Sequence, residues 1–489
     1  MRPIWLLGPY AVLALAFMSG QAQVMERDLP TESLADLVDL EDLPSGEELP
    51  YPDSVASGML VGPVGGRLQV IFPYGGSRAA KAGIRPGDVI TAIRGVEYCT
   101  GSDRPEVCAA QINSIPVGAE FTLVLERAGE RREVTLVREE TTAPETLYPA
   151  ETADGDWGYI TADGLMFLPP VYDAAGEFCD GMAQVQFGPS CEGYINMLGQ
   201  SFAADYFIQL PFSEGRAQVA ERYRWGYINR AGELVVPLRY SRTGRFSERR
   251  AAVMNEAGFY GYIDRRGAEV IIPALYTRAG EFHEGRAAVR FGSGDSGRYG
   301  YIYPWGNLRI DPVYIDARDF SEGRAAVRDA GSRRWGYVDT AGGEVIPAAY
   351  SVARDFSGGL AAVSRDRMRF GYIDREGRKV IEERYDSAAQ FSEARAAVHA
   401  AGSTRWGYID TAGNEVIPAA YVAAGDFSGG LAAISTDGRE YGYIDHEGRT
   451  VIPERYRRAL PFRGALARVW LGERSAYIDK TGRTIWPPD

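Results

Sequence analysis

From residue 157 onward, hydrophobic and polar positions recur in one order: an aromatic, Gly-Tyr-Ile-Asp, a glycine, Val-Ile-Pro, a tyrosine, a phenylalanine and a small apolar run. The motif tyrosines are Tyr159, Tyr194, Tyr227, Tyr262, Tyr301, Tyr337, Tyr372, Tyr408, Tyr443 and Tyr477. Their period of about 35 residues is that of a repeat array, and each unit is too short to be a domain. Within one copy, 360–364, 370–374 and 379–381 read as strands, with alternating character across the central one. Each unit is therefore expected to be a three-stranded antiparallel meander. In every copy a glycine stands five places after the tyrosine, as Gly342, Gly377, Gly413 and Gly448 do. With the aspartate usually found before it, it predicts a type I turn closing on a left-handed residue.

The connectors carry further rings, Tyr350 and Phe356 before Ala361, and Tyr421 and Phe427 before Ala432. A buried ring hides about 150–250 Å². At roughly 25 cal/mol per Å² this contributes several kcal/mol that a lone meander lacks, so the rings are expected to join neighbours and single units not to fold alone. Residues 335–364 are nearly repeated at 406–435, two units on, which suggests growth by duplicated pairs. Ten units exceed the roughly 4–8 blades of closed propellers. The expected fold is mainly β, an open superhelix of meanders. The alternative, a closed propeller-like ring, would bring Trp157 close to Trp486.

The run WGYIDTAGNEVIPAAYVAAGDFSGGLAAIS resembles the bacterial WG-repeat family over 150–489, about two-thirds of the chain. Trp157, Trp225, Trp335 and Trp406 keep the tryptophan, Tyr260, Tyr299, Phe370 and Tyr441 replace it, and Ser475-Ala476-Tyr477 reads as a degenerate cap. The resemblance implies binding or scaffolding modules.

Residues 1–22 read as a secretory signal peptide, with Arg2, an apolar run from Ile4 to Met18, and Gly20 and Ala22 before a cut. The run is shorter than the roughly 20 residues of a spanning helix, which weighs against an anchor, so a periplasmic or secreted protein with no membrane span after cleavage is expected. Residues 23–53, with Asp36, Asp39, Glu41, Asp42, Glu47 and Glu48 among leucines and prolines, read as an acidic disordered linker. A formal net charge of -13 argues against nucleic acid as a partner.

In 54–140, glycines and a proline punctuate a short helix and two strands. The stretch Ser77-Arg78-Ala79-Ala80-Lys81-Ala82-Gly83-Ile84, followed by Arg85-Pro86-Gly87-Asp88-Val89-Ile90, resembles the PDZ domains of bacterial envelope proteases. The resemblance implies an α+β domain that binds a peptide end as an added strand, its carboxylate held by a glycine loop. By position that loop is Ser57-Gly58-Met59-Leu60, faced by Val107 and Gln111. Ala56 and Ser57 depart from the usual glycine and large apolar residue there, so packing against the repeats is an equal alternative.

Cys99 with Cys108 and Cys179 with Cys191 bracket two short loops, and two local disulfides suit an oxidising compartment. Zinc is disfavoured because CxxC-like spacing is missing. No metal, cofactor or catalytic residue is assigned. His283, His399 and His446 fall at variable repeat positions, and Asp374, Asp410 and Asp445 at turns, where repetition argues against a unique acid/base pair. Arg216, Arg286, Arg324 and Arg395 read as a ligand face or as residues paired with nearby glutamates. Arg298, Arg333 and Met368, in hairpins the repeat does not dictate, are the positions where partners are expected to dock. The expected function is a non-catalytic scaffold of the cell envelope that engages proteins or peptides. Cell-wall glycan stacked on exposed WG tryptophans is the alternative, and a hydrolase using the repeat carboxylates the weakest reading.

Overall fold

A computed structural model describes residues 54–487, except 57, 65–66, 94–95, 98–111, 113–114, 188–191, 204–205 and 268–269. The chain is mainly β: one N-terminal sheet is followed by many small antiparallel sheets. Among the described residues, no helix is long and apolar enough to cross a membrane.

Every repeat after the first carries one strand more than the sequence suggests. In unit 6, counted by its motif tyrosine, the sheet runs Asp316–Ala317, Arg324–Arg328, Trp335–Asp339 and Glu344–Tyr350, in that order. The extra strand is only two residues long and lies in what reads as connector. A single residue, Ser351, separates the end of this sheet from the first strand of the next, Val352–Ala353. Between units 7 and 8 even that break is gone, and Lys379–Ala388 serves both sheets as one strand.

The motif residues explain the unit's shape. Trp335 pairs with Tyr350 and Tyr337 with Ile346, so the last strand bulges across Gly336. A Cβ on Gly336 would lie 2.4 Å from the Ile346 carbonyl oxygen, and the bulge is where Pro347 is tolerated. At the next turn Gly342 has φ +89°, the expected left-handed conformation. The Asp339 carboxylate accepts hydrogen bonds from the N–H groups of Ala341 and Gly343, both at 2.8 Å.

Neighbouring units join through the expected rings. Tyr337 is fully buried, meets Phe356 of unit 7 edge-on at 5.0 Å and donates its hydroxyl proton to the Arg354 carbonyl at 2.7 Å. Ser321 donates to the Phe356 carbonyl at 2.7 Å. From unit 5 to unit 10 the turn glycine rests on the preceding unit's isoleucine, as Gly377 does on Ile346.

The expectation of an open superhelix is corrected by the contacts between the ends. Gly164 of unit 1 rests on Ile485 of unit 10, whose neighbour Trp486 holds the place of the isoleucine that receives this glycine between later units. Trp486 donates its indole N–H to the Glu151 carbonyl at 2.9 Å, and Tyr148 donates to the Arg463 carbonyl at 2.9 Å. Tyr148, Ala150, Ile160, Leu466, Tyr477 and Ile485 form one buried cluster. The two ends of the array meet, and the succession of sheets closes on itself. Blade counts did not predict this, because closure depends on the tilt between neighbours, which the motif does not encode.

The N-terminal sheet orders Ser54–Ala56, Met59–Val64, Arg67–Pro73, Val89–Ile93, Glu120–Arg127 and Glu130–Val137, with the short helix Arg78–Lys81 before Val89–Ile93. A register shift between Leu60 and Val61 splits its apolar residues between two cores. Met59, Val61 and Val70 enter the sheet's own core, whereas Leu60, Phe72 and Tyr74 pack with Leu147, Phe167 and Leu168 of the array. Tyr74 stacks on Phe167 at 5.0 Å and donates to the Leu198 carbonyl at 2.7 Å. This domain is thus docked on units 1 and 2.

Candidate functional site

The residues expected to receive a peptide end are already engaged where they are described. Ser57, Val107 and Gln111 lie outside the described residues. Gly58 donates its N–H to the Thr141 hydroxyl at 2.9 Å. Met59 and Leu60 begin a buried strand that pairs on one side with Ser54–Ala56 and on the other with Arg67–Pro73. Cys99, Cys108 and Cys191 also lie outside the described residues. Cys179 is a half-buried free thiol at the position where most units carry the serine that bonds the next unit.

Several other sequence candidates have structural work. Arg216, Arg286, Arg324 and Arg395 each donate Nε–H to a carbonyl in the next unit's turn, at Arg265, Thr340, Arg375 and His446. Asp374, Asp410 and Asp445 each accept backbone N–H groups within their own turns. His446 stacks on Phe427 at 4.4 Å, and His399 lies 5.0 Å from Trp406. The WG tryptophans are half-buried, with Arg468 over Trp157 at 5.1 Å and Arg318 over Trp335 at 5.5 Å. An uncovered row of indoles is absent among the described residues.

Two features stand apart from this framework. The first is the edge formed by the hairpins between the second and third strands. Tyr223 is 95% exposed and Met368 70%, and Phe259 and Leu471 project from corresponding hairpins. Arg298 and Arg333 lie in the same kind of hairpin, as expected. The two-residue turn Arg222-Tyr223 has both φ values positive, +48° and +66°. Such a turn favours Asn-Gly, and side chains in this conformation cost about 1 kcal/mol or more each. Tyr223 was missed in the sequence because nothing there shows which tyrosine leaves the repeat's pattern of burial.

The second feature is a cleft of about 260 Å³ lined by Tyr260, Arg278, Ala279, Gly280, Ala288, Tyr299, Ala317 and Asp319, across three consecutive units. It opens beside Gly280, which has no side chain to fill it. In unit 6 Arg318 covers Trp335, whereas unit 5 has Gly280 and Tyr299 at those places. Burial pushes the Asp319 carboxyl above the ordinary carboxylate range, and His283, with Nε2 3.6 Å away, opposes that rise. Burial likewise raises the Tyr299 phenol.

The profile of the WG containing repeat matches eight segments: 157–188, 225–257, 260–293, 299–331, 335–366, 370–398, 406–439 and 441–472. These make up more than half of the sequence. The chain belongs to the WG-repeat family. The units of Tyr194 and Tyr477, which the profile passes over, have the same sheet architecture as the other WG repeats. No curated protein matches the chain. Among solved structures, it is similar to a eukaryotic initiation factor at 12% identity and TM-score 0.44, covering 64% of this chain and 96% of that one. BamB from Moraxella catarrhalis matches at 12% identity and TM-score 0.30, covering 56% of this chain and 96% of that one.

Proposed function

We propose that this WG-repeat protein is a non-catalytic scaffold of the cell envelope, exported by its N-terminal segment, whose hairpin edge binds a protein or peptide. The Arg222-Tyr223 turn carries the reading: a backbone that glycine or asparagine would relax is kept by an arginine and a tyrosine, the latter almost wholly in solvent. Tyrosine and arginine are the side chains that most often anchor protein interfaces. Local strain kept at an exposed tyrosine is the kind of cost a binding site sustains. The N-terminal domain, which resembles PDZ domains, acts here as a packing module, because its expected peptide edge carries Ser54–Ala56.

Replacing Arg222-Tyr223 by Asn-Gly should stabilise the protein by about 1 kcal/mol, read by denaturant unfolding. The same variant should retain less partner than wild type in crosslinked affinity purification of the full mature chain from envelope extract. Equal retention by the two would remove the hairpin edge as the site. No retained protein with either would end the scaffold reading.

A further inference from the structure

We propose that the cleft across units 4, 5 and 6 is a binding site for one neutral hexopyranose residue of a glycan. The site is distinct from the hairpin edge and does not depend on the scaffold reading. Its size is the first argument: about 260 Å³ admits a single sugar ring but no folded peptide element. The second is its origin in sequence. At the equivalent place in unit 6 the guanidinium of Arg318 lies over Trp335, whereas unit 5 has Gly280 and the smaller ring of Tyr299, with the Arg290 guanidinium 5.9 Å from that ring. The floor is small, Ala279, Gly280, Ala288 and Ala317, and the rings of Tyr260 and Tyr299 form apolar walls.

The third argument is charge. The lining carries one cation, Arg278, and one anion, Asp319, so it favours neither an anion nor a cation. A neutral ligand with many hydroxyls uses both, donating to the Asp319 carboxylate and accepting from the Arg278 guanidinium, in charge-assisted bonds. Its C–H face would lie on a tyrosine ring. Glu281 and His283 precede and follow the Phe282 of unit 5, and His283 opposes Asp319, so the carboxylate keeps a partner while free. The earlier idea of sugars on the WG tryptophans fails where arginines cover them.

Saturation-transfer NMR on the full mature protein with methyl α-D-glucopyranoside, methyl α-D-galactopyranoside and methyl α-D-mannopyranoside tests this directly. At least one should bind saturably. Asp319→Asn should weaken it by about tenfold or more, the loss of one charge-assisted bond. Tyr299→Trp restores the residue other units carry there, so it should fold and fill the cleft, abolishing binding. Asn-Gly at 222–223 should leave sugar binding unchanged, which separates this site from the hairpin edge. The proposal is overturned if none of the three sugars saturates below about 50 mM, where even a weak site would be filled. Undiminished binding by folded Tyr299→Trp protein would overturn it equally.

Discussion

The joint between units 6 and 7 and the joint between units 10 and 1 do the same job with different parts. Both seat a turn glycine on the last strand of the neighbouring unit, Gly377 on the Ile346 side chain and Gly164 against the Ile485 backbone and side chain. At the interior joint the rest comes from the connector: Phe356 meets the Tyr337 ring, Arg354 accepts its hydroxyl proton, and Ser321 reaches the Phe356 carbonyl. Unit 1 has only three strands, without the short first strand and its connector. At the closing joint Tyr148 takes the phenylalanine's place, its ring 5.5 Å from that of Tyr477. Arg463, at the serine position, extends past the missing connector to Glu177 at 2.9 Å and to the Phe178 carbonyl at 3.2 Å. The Tyr477 hydroxyl, buried, finds no protein acceptor. Packing of the sheet faces is thus enough to define the joint, and the hydrogen bonds around it are replaceable.

The sharpest way to break this comparison is to delete one oxygen on each side. Tyr337→Phe should cost about 1–2 kcal/mol, because the buried Arg354 carbonyl loses its donor. Tyr477→Phe should be neutral or slightly stabilising, because it removes a buried group without a partner. Paired denaturant melts measure both, and equal losses would mean that the closing joint is bonded like the others. A smaller and more local effect is expected of Arg463→Ala. The pair with Glu177 is largely exposed, so about 1 kcal/mol is expected overall. Amide exchange should rise selectively in Tyr148–Glu151 and Arg474–Ile478 and stay unchanged in unit 6.

The smallest effect is electrostatic and lies in the turn of unit 6, where Asp339 stands in place of the Thr161 of the closing joint's turn. The N–H of Gly343 first, with the other turn amides, holds the Asp339 carboxyl below its ordinary range. A depressed carboxyl contributes stability that is complete above the ordinary range near pH 4 and is lost as pH falls through the folded value. Asp339→Asn, which copies Asn196 and Asn229 of other units, should keep the turn and remove this site's share of the acid sensitivity. Melts of the variant and wild type should differ in slope only below about pH 4.

What could be read in the sequence was whatever repeats. The ten tyrosines, the Asp-x-x-Gly turn and the coupling of Tyr337 to Phe356 all recur often enough to be recognised in one chain. The two-residue strand Asp316–Ala317 has too few residues for alternation to mark it. Closure was hidden because Tyr148 precedes the first motif and meets residues more than 300 positions away. The docking of the N-terminal sheet was hidden by alternation itself: Phe72 follows Leu68 and Val70 in phase, and only the register shift at Leu60 sends it to the array. The cleft was hidden because Gly280 and Tyr299 match Gly244 and Tyr260, and Gly425 and Tyr441, of other units, so residue type alone does not set unit 5 apart.

Ser351 alone bridges two sheets, and Lys379–Ala388 bridges two others with nothing between. With so little slack, a residue gained or lost in such a bridge turns every later side chain to the wrong face. Hairpin tips carry no such constraint and vary more freely in length. The circumference of this protein is therefore counted in whole repeats, and its history is one of copying entire units, as the near-identity of 335–364 and 406–435 records.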